Sequence, residues 1–386
     1  MDVILQIKEI AKRLDARQGE MVHLLTRLVE MESPSDDFTS VNAFAEVLLR
    51  EMRQLGFDAI RRAVPRSPDL VECYHGRGNK SVMLLGHMDT VWPIGTLLKR
   101  PVRVDGDRLY GPGCFDMKAG IVVALYAAHV LGERCPRIHF FMTSQEEVSG
   151  EPYRAILEER ARKASAVICL EPAWPGGAVK TERKGAGHIK MTAHGRSAHA
   201  GSEPERGVNA IVEIANQVIR LRELQRELKN GVTMVTGLIR GGTRRNVVPD
   251  FAEIDVDLRF KRMIDGEDTV RRVKAFKPFL PEATLDVEAG ISVPPLERSS
   301  GVQTLFALAS RVEEALGRKL REVSTGGVSE ANYVAACGVP VIDGFGADGD
   351  GAHAENEHVL LASLPQRAAL LAGTLLLQAQ EHSKSI

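Results

Sequence analysis

The chain has 386 residues, 44% hydrophobic and 26% charged, with a formal net charge of −1. That length exceeds what one hydrophobic core usually holds, so about two domains are expected. The balanced charge excludes a global field that would draw nucleic acid or an anionic membrane. The longest apolar stretch, GIVVALYAAHVLG, falls short of the roughly 20 residues that span a bilayer.

The N-terminal MDVILQIKEIAKRLDARQ reads as an amphipathic helix carrying Lys8 and Lys12, not as a signal peptide. Helices follow near 17–31 and 40–55. The apolar run VMLLG then enters His87, and a helix is expected over 118–132. IHFFMTS leads into Glu146 and Glu147, a helix is read near 151–160, and AVICL leads into Glu171. Short apolar runs alternating with helical patterns read as buried, mainly parallel strands of an α/β sheet. The five cysteines are odd in number and have no CxxC spacing, which argues for reduced thiols and a cytoplasmic home. A leader removed from the chain would make it periplasmic instead.

The Gly-Ala-Gly at 185–187 marks a change of style. From 188 to about 291 the order is strand, helix, strand, strand, helix, strand. The strands are HIKMTAH, VTMVTGLI, AEIDVDLRF and ATLDVEA, and the helices RGVNAIVEIANQVIRLRELQREL and GEDTVRRVKAF. This is the split βαβ order of a ferredoxin-like α+β domain. The first pattern resumes with QTLFALASRVEEALG, the strand VPVID and a terminal helix, PQRAALLAGTLLLQAQ. We therefore expect a discontinuous α/β domain over 1–184 and 298–386, interrupted by an inserted domain over 185–297.

Ligand-type residues fall on both sides of the insertion and none inside it. They are His87 in LLGHMDTV, Asp116 in GPGCFDMKAG, Glu147 in TSQEEVSG, Glu171 in ICLEPAW and His353 in GDGAHAENE. In open α/β sheets ligands bind beyond the carboxyl ends of the strands, so these side chains should converge. Two imidazoles and three carboxylates suit a pair of divalent metals with one carboxylate shared. Asp89 is placed to orient the His87 ring. Glu146 and Glu147 repel unless a metal or proton compensates, which leaves one to bind and its neighbour to act as general base. Each motif alone has a bland explanation, such as a helix-start acid or a polar strand end; the set of five does not.

Together GHMDTV, GPGxxDMKAG, SQEE, EP, GRSAHAG, GGTRRNVVPD, GGVSEAN and the late GxxHxxxE resemble the co-catalytic zinc amidohydrolases. That family includes bacterial glutamate carboxypeptidase, acetylornithine deacetylase, succinyl-diaminopimelate desuccinylase and aminoacylase. The pattern is most similar to the glutamate-carboxypeptidase branch. The resemblance implies two Zn²⁺ per chain, with Co²⁺ or Mn²⁺ as substitutes. His87, Asp116 and Glu171 would hold one ion, and Asp116, Glu147 and His353 the other. It implies that Glu146 takes a proton from the bridging water and that the peptide after Asp116 is cis. It also implies a homodimer formed through the inserted domain, with His199 stabilising the oxyanion in the partner protomer's site. Asn246 and Arg259 would meet the substrate, with Gly326 and Gly327 lining its cleft.

Two departures stand out. AGISVPPLE carries no arginine to hold a glutamate carboxylate, the next being Arg298, and Glu330 stands where the family pattern has Asp. The reading is a carboxypeptidase-like hydrolase of peptides or N-acyl amino acids. A biosynthetic deacylase is the alternative, and a non-catalytic peptide-binding relative a remote one.

Overall fold

The computed structural model describes residues 3–148, 150–228 and 231–384. Two compact units emerge, one of Met1–Thr181, Arg298–Ser324 and Ser329–Ile386, the other of Glu182–Glu297 and Thr325–Val328. The first crossing lies at 181/182, three residues before the one read from the sequence, and Gly326 and Gly327 fall in the second unit.

The larger unit is built on a six-stranded mixed sheet. Ile60–Arg62 and Leu70–His75 run antiparallel at one side. Pro136–Thr143, Arg77–His87, Ala166–Cys169 and Val341–Ile342 are mutually parallel. Every residue from Val82 to His87 is buried, as is every residue of Ala166–Cys169. That explains apolar runs without alternation: both faces are covered by helices. The helix Ala119–Leu131 is buried all round except at His129. It belongs to a longer helical stretch, Cys114–Arg134, which by length and composition alone would suffice to cross a membrane. The 13-residue apolar run had suggested a shorter element. Its most apolar window is 89% buried within the unit, so apolarity here marks a core helix. Close approach is enforced at Gly120, where a Cβ would stand 2.1 Å from the Leu170 carbonyl oxygen. That contact seats the Asp116 segment against the strand leading to Glu171.

A second, four-stranded sheet escaped the sequence reading. Arg103–Asp105, Arg108–Tyr110, His358–Leu360 and Gly349–Asp350 pair antiparallel in that order. Each strand is two or three residues long, too short for a period to register. They tie the chain around Asp116 to the loop carrying His353.

The smaller unit holds Gly185–His194, Thr233–Gly241, Phe251–Phe260 and Thr284–Val293 in one antiparallel sheet. Its order places the second strand at one edge and the fourth at the other. Helices Ala210–Glu227 and Met263–Lys274 fill the two crossover positions, as a ferredoxin-like fold requires. Ala252, Ile254, Val256, Leu258 and Phe260 point into its own core with Ile189, Met191 and Ile214. The clean alternation of that strand reports one wet face.

Candidate metal centre and active site

Strand register brings the candidate residues together. His87 pairs with Thr143 and Leu85 with Cys169, so the carboxyl ends of three parallel strands are level. Glu146 and Glu147 follow Thr143 in a short 3₁₀ turn, and Glu171 lies two residues beyond its strand. Asp116 enters from the segment before the core helix, where its peptide bond to Met117 is cis. His353 comes from the loop after Gly349–Asp350 and holds a left-handed φ of 61°, unusual for a residue with a side chain.

Two donor triads result, His87–Asp116–Glu171 and Asp116–Glu147–His353, each with its ligand atoms within 4.8 Å of one another. Asp116 belongs to both and divides its oxygens between them. Its Oδ1 lies 3.2 Å from His87 Nε2, and its Oδ2 3.4 Å from His353 Nε2. Glu171 Oε1 is 3.5 Å from His87 Nε2, and Glu147 Oε2 3.1 Å from His353 Nε2. Donors bound at about 2.0–2.1 Å to one tetrahedral ion lie roughly 3.3–3.4 Å apart, so these spacings fit a Zn²⁺-sized cation in each triad. Three carboxylates against two neutral imidazoles also leave negative charge for cations to neutralise.

The electrostatics point the same way. Hydrogen bonding to Asp116 and then Glu147 pushes His353 up to about 10. Burial alone would lower His87, yet Asp116, Asp89 and Glu171 raise it well above its ordinary range. Against the same burial, His353 and His87 hold Asp116 far below the usual carboxylate range. Each imidazole is asked to carry a positive charge that a bound metal would supply instead.

Asp89 is buried, and its role is broader than the sequence suggested. His87 Nδ1 faces the Asp89 main-chain oxygen at 3.0 Å, with the carboxylate Oδ1 farther off at 3.5 Å. A carbonyl only accepts, so Nδ1 carries the proton and Nε2 keeps its lone pair for a metal. The carboxylate itself accepts from the backbone N–H of Glu146 at 3.1 Å, that of Glu147 at 3.2 Å and the Ser35 hydroxyl at 2.6 Å. One buried acid thus places a ligand and the neighbouring candidate base. Glu146 is raised well above the ordinary carboxylate range, first by burial and then by Glu171. A carboxylate shifted this way accepts a proton more readily.

Glu330 is 4% exposed, and Thr143 donates to its Oε2 at 3.0 Å. Burial pushes it up to about 8. It supports the end of the strand leading to Glu146 from a buried position.

The smaller unit carries the remaining candidates. His199 is exposed, and its Nδ1 accepts from the N–H groups of Gly201 and Ser202, both at 3.1 Å. That fixes the tautomer with the proton on Nε2, leaving one outward donor. Asn246 is adjacent: its carbonyl accepts from Ala200 N at 3.0 Å, and His199 bridges Val247. Arg259 is elsewhere. The end of its strand at Phe251 pairs with His194, and Arg259 lies eight residues on, about 26 Å along the sheet. It is held by Asp257, at 2.9 and 3.1 Å. Gly326 and Gly327 form an exposed bend, and Arg183 donates to the Gly327 carbonyl at 3.1 Å. A Cβ at Gly326 would meet nothing within 4 Å, so local packing does not demand glycine there. Arg298 is engaged by Glu322 through two bonds of 2.8 Å.

Residues 83–377 match the profile of Peptidase family M20/M25/M40. The chain belongs to this family. It is accordingly a metallopeptidase or amidohydrolase of M20 type. Carboxypeptidase G2 of Pseudomonas sp. is 31% identical over 367 residues, covering 92% of this chain and 88% of that protein. Succinyl-diaminopimelate desuccinylase of Corynebacterium glutamicum is 26% identical over 366 residues, covering 92% and 95%. Among solved structures, aminopeptidase PepT from Bacillus cereus superposes with a TM-score of 0.79 at 23% identity, over 93% of this chain and 98% of that one. The Bacillus subtilis YXEP protein, described as a dinuclear metal binding peptidase of the M20 family, gives 0.68 at 16% identity, over 94% and 98%. These likenesses show the fold of the M20 enzymes.

Proposed function

We propose that the chain is a two-zinc hydrolase that removes a C-terminal amino acid from a peptide or N-acyl amino acid. The observation carrying this is the pair of triads joined through Asp116, with Glu146 directly beside a ligand. His87, Asp116 and Glu171 would hold one ion, and Asp116, Glu147 and His353 the other. When bound, the cations supply Lewis acidity for activating water and polarising the scissile carbonyl. Glu146 then takes the proton of the attacking water on its carboxylate and passes it to the leaving nitrogen. Asp89 keeps Nε2 of His87 turned inward and holds the Glu146–Glu147 turn.

His199 offers Nε2–H to the developing oxyanion, and Asn246 stands with it. Arg259 lies about 26 Å along the sheet from the strand end at Phe251, the end nearer in sequence to Asn246, so one chain's smaller unit does not gather all three. A homodimer removes that conflict, with His199 and Asn246 acting in trans and Arg259 in its own protomer. The free edge strand Thr233–Gly241 supports a second copy as its partner. Val235, Leu238 and Ile239 are each more than half exposed there, beside exposed Ile211, Val212 and Ile219 on the neighbouring helix. A cytoplasmic location belongs to the same reading, supported by five free cysteines.

Substrate choice rests on the amino-acid side. AGISVPPLE lacks an arginine, and both Arg298 and Arg259 already have carboxylate partners. Strict glutamate recognition normally uses bidentate arginine pairing, so neutral C-terminal residues should be accepted comparably. Desuccinylases among the relatives favour a second reading, a deacylase that selects the acyl half. A panel of N-acyl amino acids varied on both halves separates the two. Rates that follow the amino-acid side support the carboxypeptidase, and rates that follow the acyl side support the deacylase. A hundredfold glutamate preference would refute the specificity argument, and no hydrolysis of any member by zinc-loaded protein would refute the activity.

A further inference from the structure

Glu357 is 1% exposed and four residues past His353, and it lies in neither donor triad. Four donors converge on its carboxylate. Oε2 accepts from Gly113 N at 2.8 Å and Trp92 Nε1 at 2.7 Å; Oε1 accepts from Phe115 N at 2.9 Å and Asp116 N at 3.1 Å. Three of these are backbone amides at the start of the turn Cys114–Lys118, from its cap Gly113 and from Phe115 and Asp116, and an unpaired buried amide is costly. Glu357 is itself fixed to the His353 loop: Ala354 N donates to Gly351 O at 2.8 Å and Glu357 N to Ala354 O at 3.0 Å. Trp92 sits five residues beyond His87, with the Arg100 guanidinium 4.0 Å over its ring. A single carboxylate therefore fastens together the segments that carry His87, Asp116 and His353.

The consequence concerns Asp116, the residue shared by both triads. Its amide N–H is taken by Glu357, and the two preceding contacts hold the loop from Gly113, which has a left-handed φ of 72°. With the backbone held at that point, the Asp116 carboxylate is presented with one oxygen toward each histidine. A shift of the loop would move the shared ligand of both ions at once.

We propose that Glu357 is a positioning residue for the metal pair, setting the place of Asp116 through its backbone and locking the Asp116 and His353 loops in register. This rests on the two-metal reading above. Glu357→Gln keeps the shape but replaces one accepting oxygen with an N–H₂ group, so two of the four donors lose their acceptor.

The test compares zinc affinity of the wild type and Glu357→Gln by competition with a chromophoric chelator, alongside thermal melts and kinetics at limiting and excess zinc. Partners of metal ligands typically contribute 10–100-fold to affinity, and a loss of about that size is expected, with activity at limiting zinc falling in step and KM little changed. Trp92→Phe removes a donor while leaving every loop amide accepted, so its zinc affinity should stay near wild type. Glu357→Asp, whose carboxylate is drawn back by roughly one C–C bond of 1.5 Å, should weaken zinc like the glutamine variant. A folded Glu357→Gln or Glu357→Asp with a lowered melting temperature and wild-type zinc affinity would overturn the proposal. So would failure of both to fold, which would make the residue a purely structural one. Wild-type protein that binds no zinc would instead remove the two-metal reading itself.

Discussion

Replacing Asp89 by Asn separates electrostatic positioning from simple packing, because the two side chains have nearly the same shape. The carboxylate accepts from Ser35, Glu146 N and Glu147 N and flanks His87, with 1% of the residue exposed. An amide retains one accepting oxygen, so its N–H₂ must face either the Glu146 N–H or the Glu147 N–H. The Ser35 hydroxyl can turn to accept, but a backbone N–H cannot. A buried donor left unpaired costs about 1–3 kcal/mol, and that is the expected loss of stability. The displaced turn carries both Glu146 and Glu147, so zinc affinity should fall about 10–100-fold as well, with turnover reduced at least as much. Ser35→Ala is the control. It removes a charge-assisted bond of about 1.5–3 kcal/mol while leaving both turn amides accepted, so it should lower stability but spare turnover. Urea unfolding, chelator competition and kcat measured on the three proteins decide the matter. An Asp89→Asn enzyme with wild-type zinc affinity and kcat, or a Ser35→Ala enzyme as impaired as Asp89→Asn, would refute the reasoning.

Glu146→Gln should keep both metals and lose roughly 10²–10⁴-fold in turnover; near-normal turnover with metal content verified would remove Glu146 from the mechanism. Loss of an oxyanion donor typically costs about 10²–10³-fold, so His199→Ala dimers should also be nearly inactive. Mixing the two inactive proteins and allowing exchange makes half the dimers mixed, each with one complete site, so roughly one quarter of wild-type activity should return. No recovery after demonstrated exchange would place His199 in its own chain's site or outside the reaction. Glu72 offers a test at a residue outside both donor triads. Burial would raise it, but His139 and Arg62 outweigh that and lower it to about 2 from 4.5. Because the folded value is the depressed one, this stabilisation is complete above about pH 4.5 and is lost as pH falls toward 2. It amounts to about 3 kcal/mol. The stability difference between wild type and Glu72→Gln, measured by urea unfolding, should therefore shrink across that window, and a pH-independent difference would contradict the assignment.

Much of this architecture was legible because period and burial agree. Apolar runs without alternation gave the parallel strands ending at His87, Thr143 and Cys169, and the alternating EIDVDLRF gave a half-exposed strand. The ligand candidates were found because each directly follows such a run or a glycine-rich turn. What stayed hidden depends on contacts distant in sequence. Glu357 and Asp116 are 241 residues apart, and Ser35 and Asp89 are 54 apart, so no local pattern joins them. The strands around Tyr110 and His358 are too short to show a period. Arg259 and Asn246 are close in sequence, yet a ten-residue strand carries them to opposite ends of a sheet. Asp89 was expected to act on His87 alone, and its hold on the Glu146–Glu147 turn appears only once the strand ends are level.

Metal content bears most directly on the claim that one carboxylate joins two ions. Purified protein loaded with zinc and freed of excess should carry about two ions per chain by mass spectrometry of the metal, and chelation should abolish hydrolysis. In Asp116→Asn both triads lose their shared anion, so fewer than one ion should remain and hydrolysis should fail. Two tightly held ions in Asp116→Asn, or full hydrolysis by chelated wild type, would contradict the account.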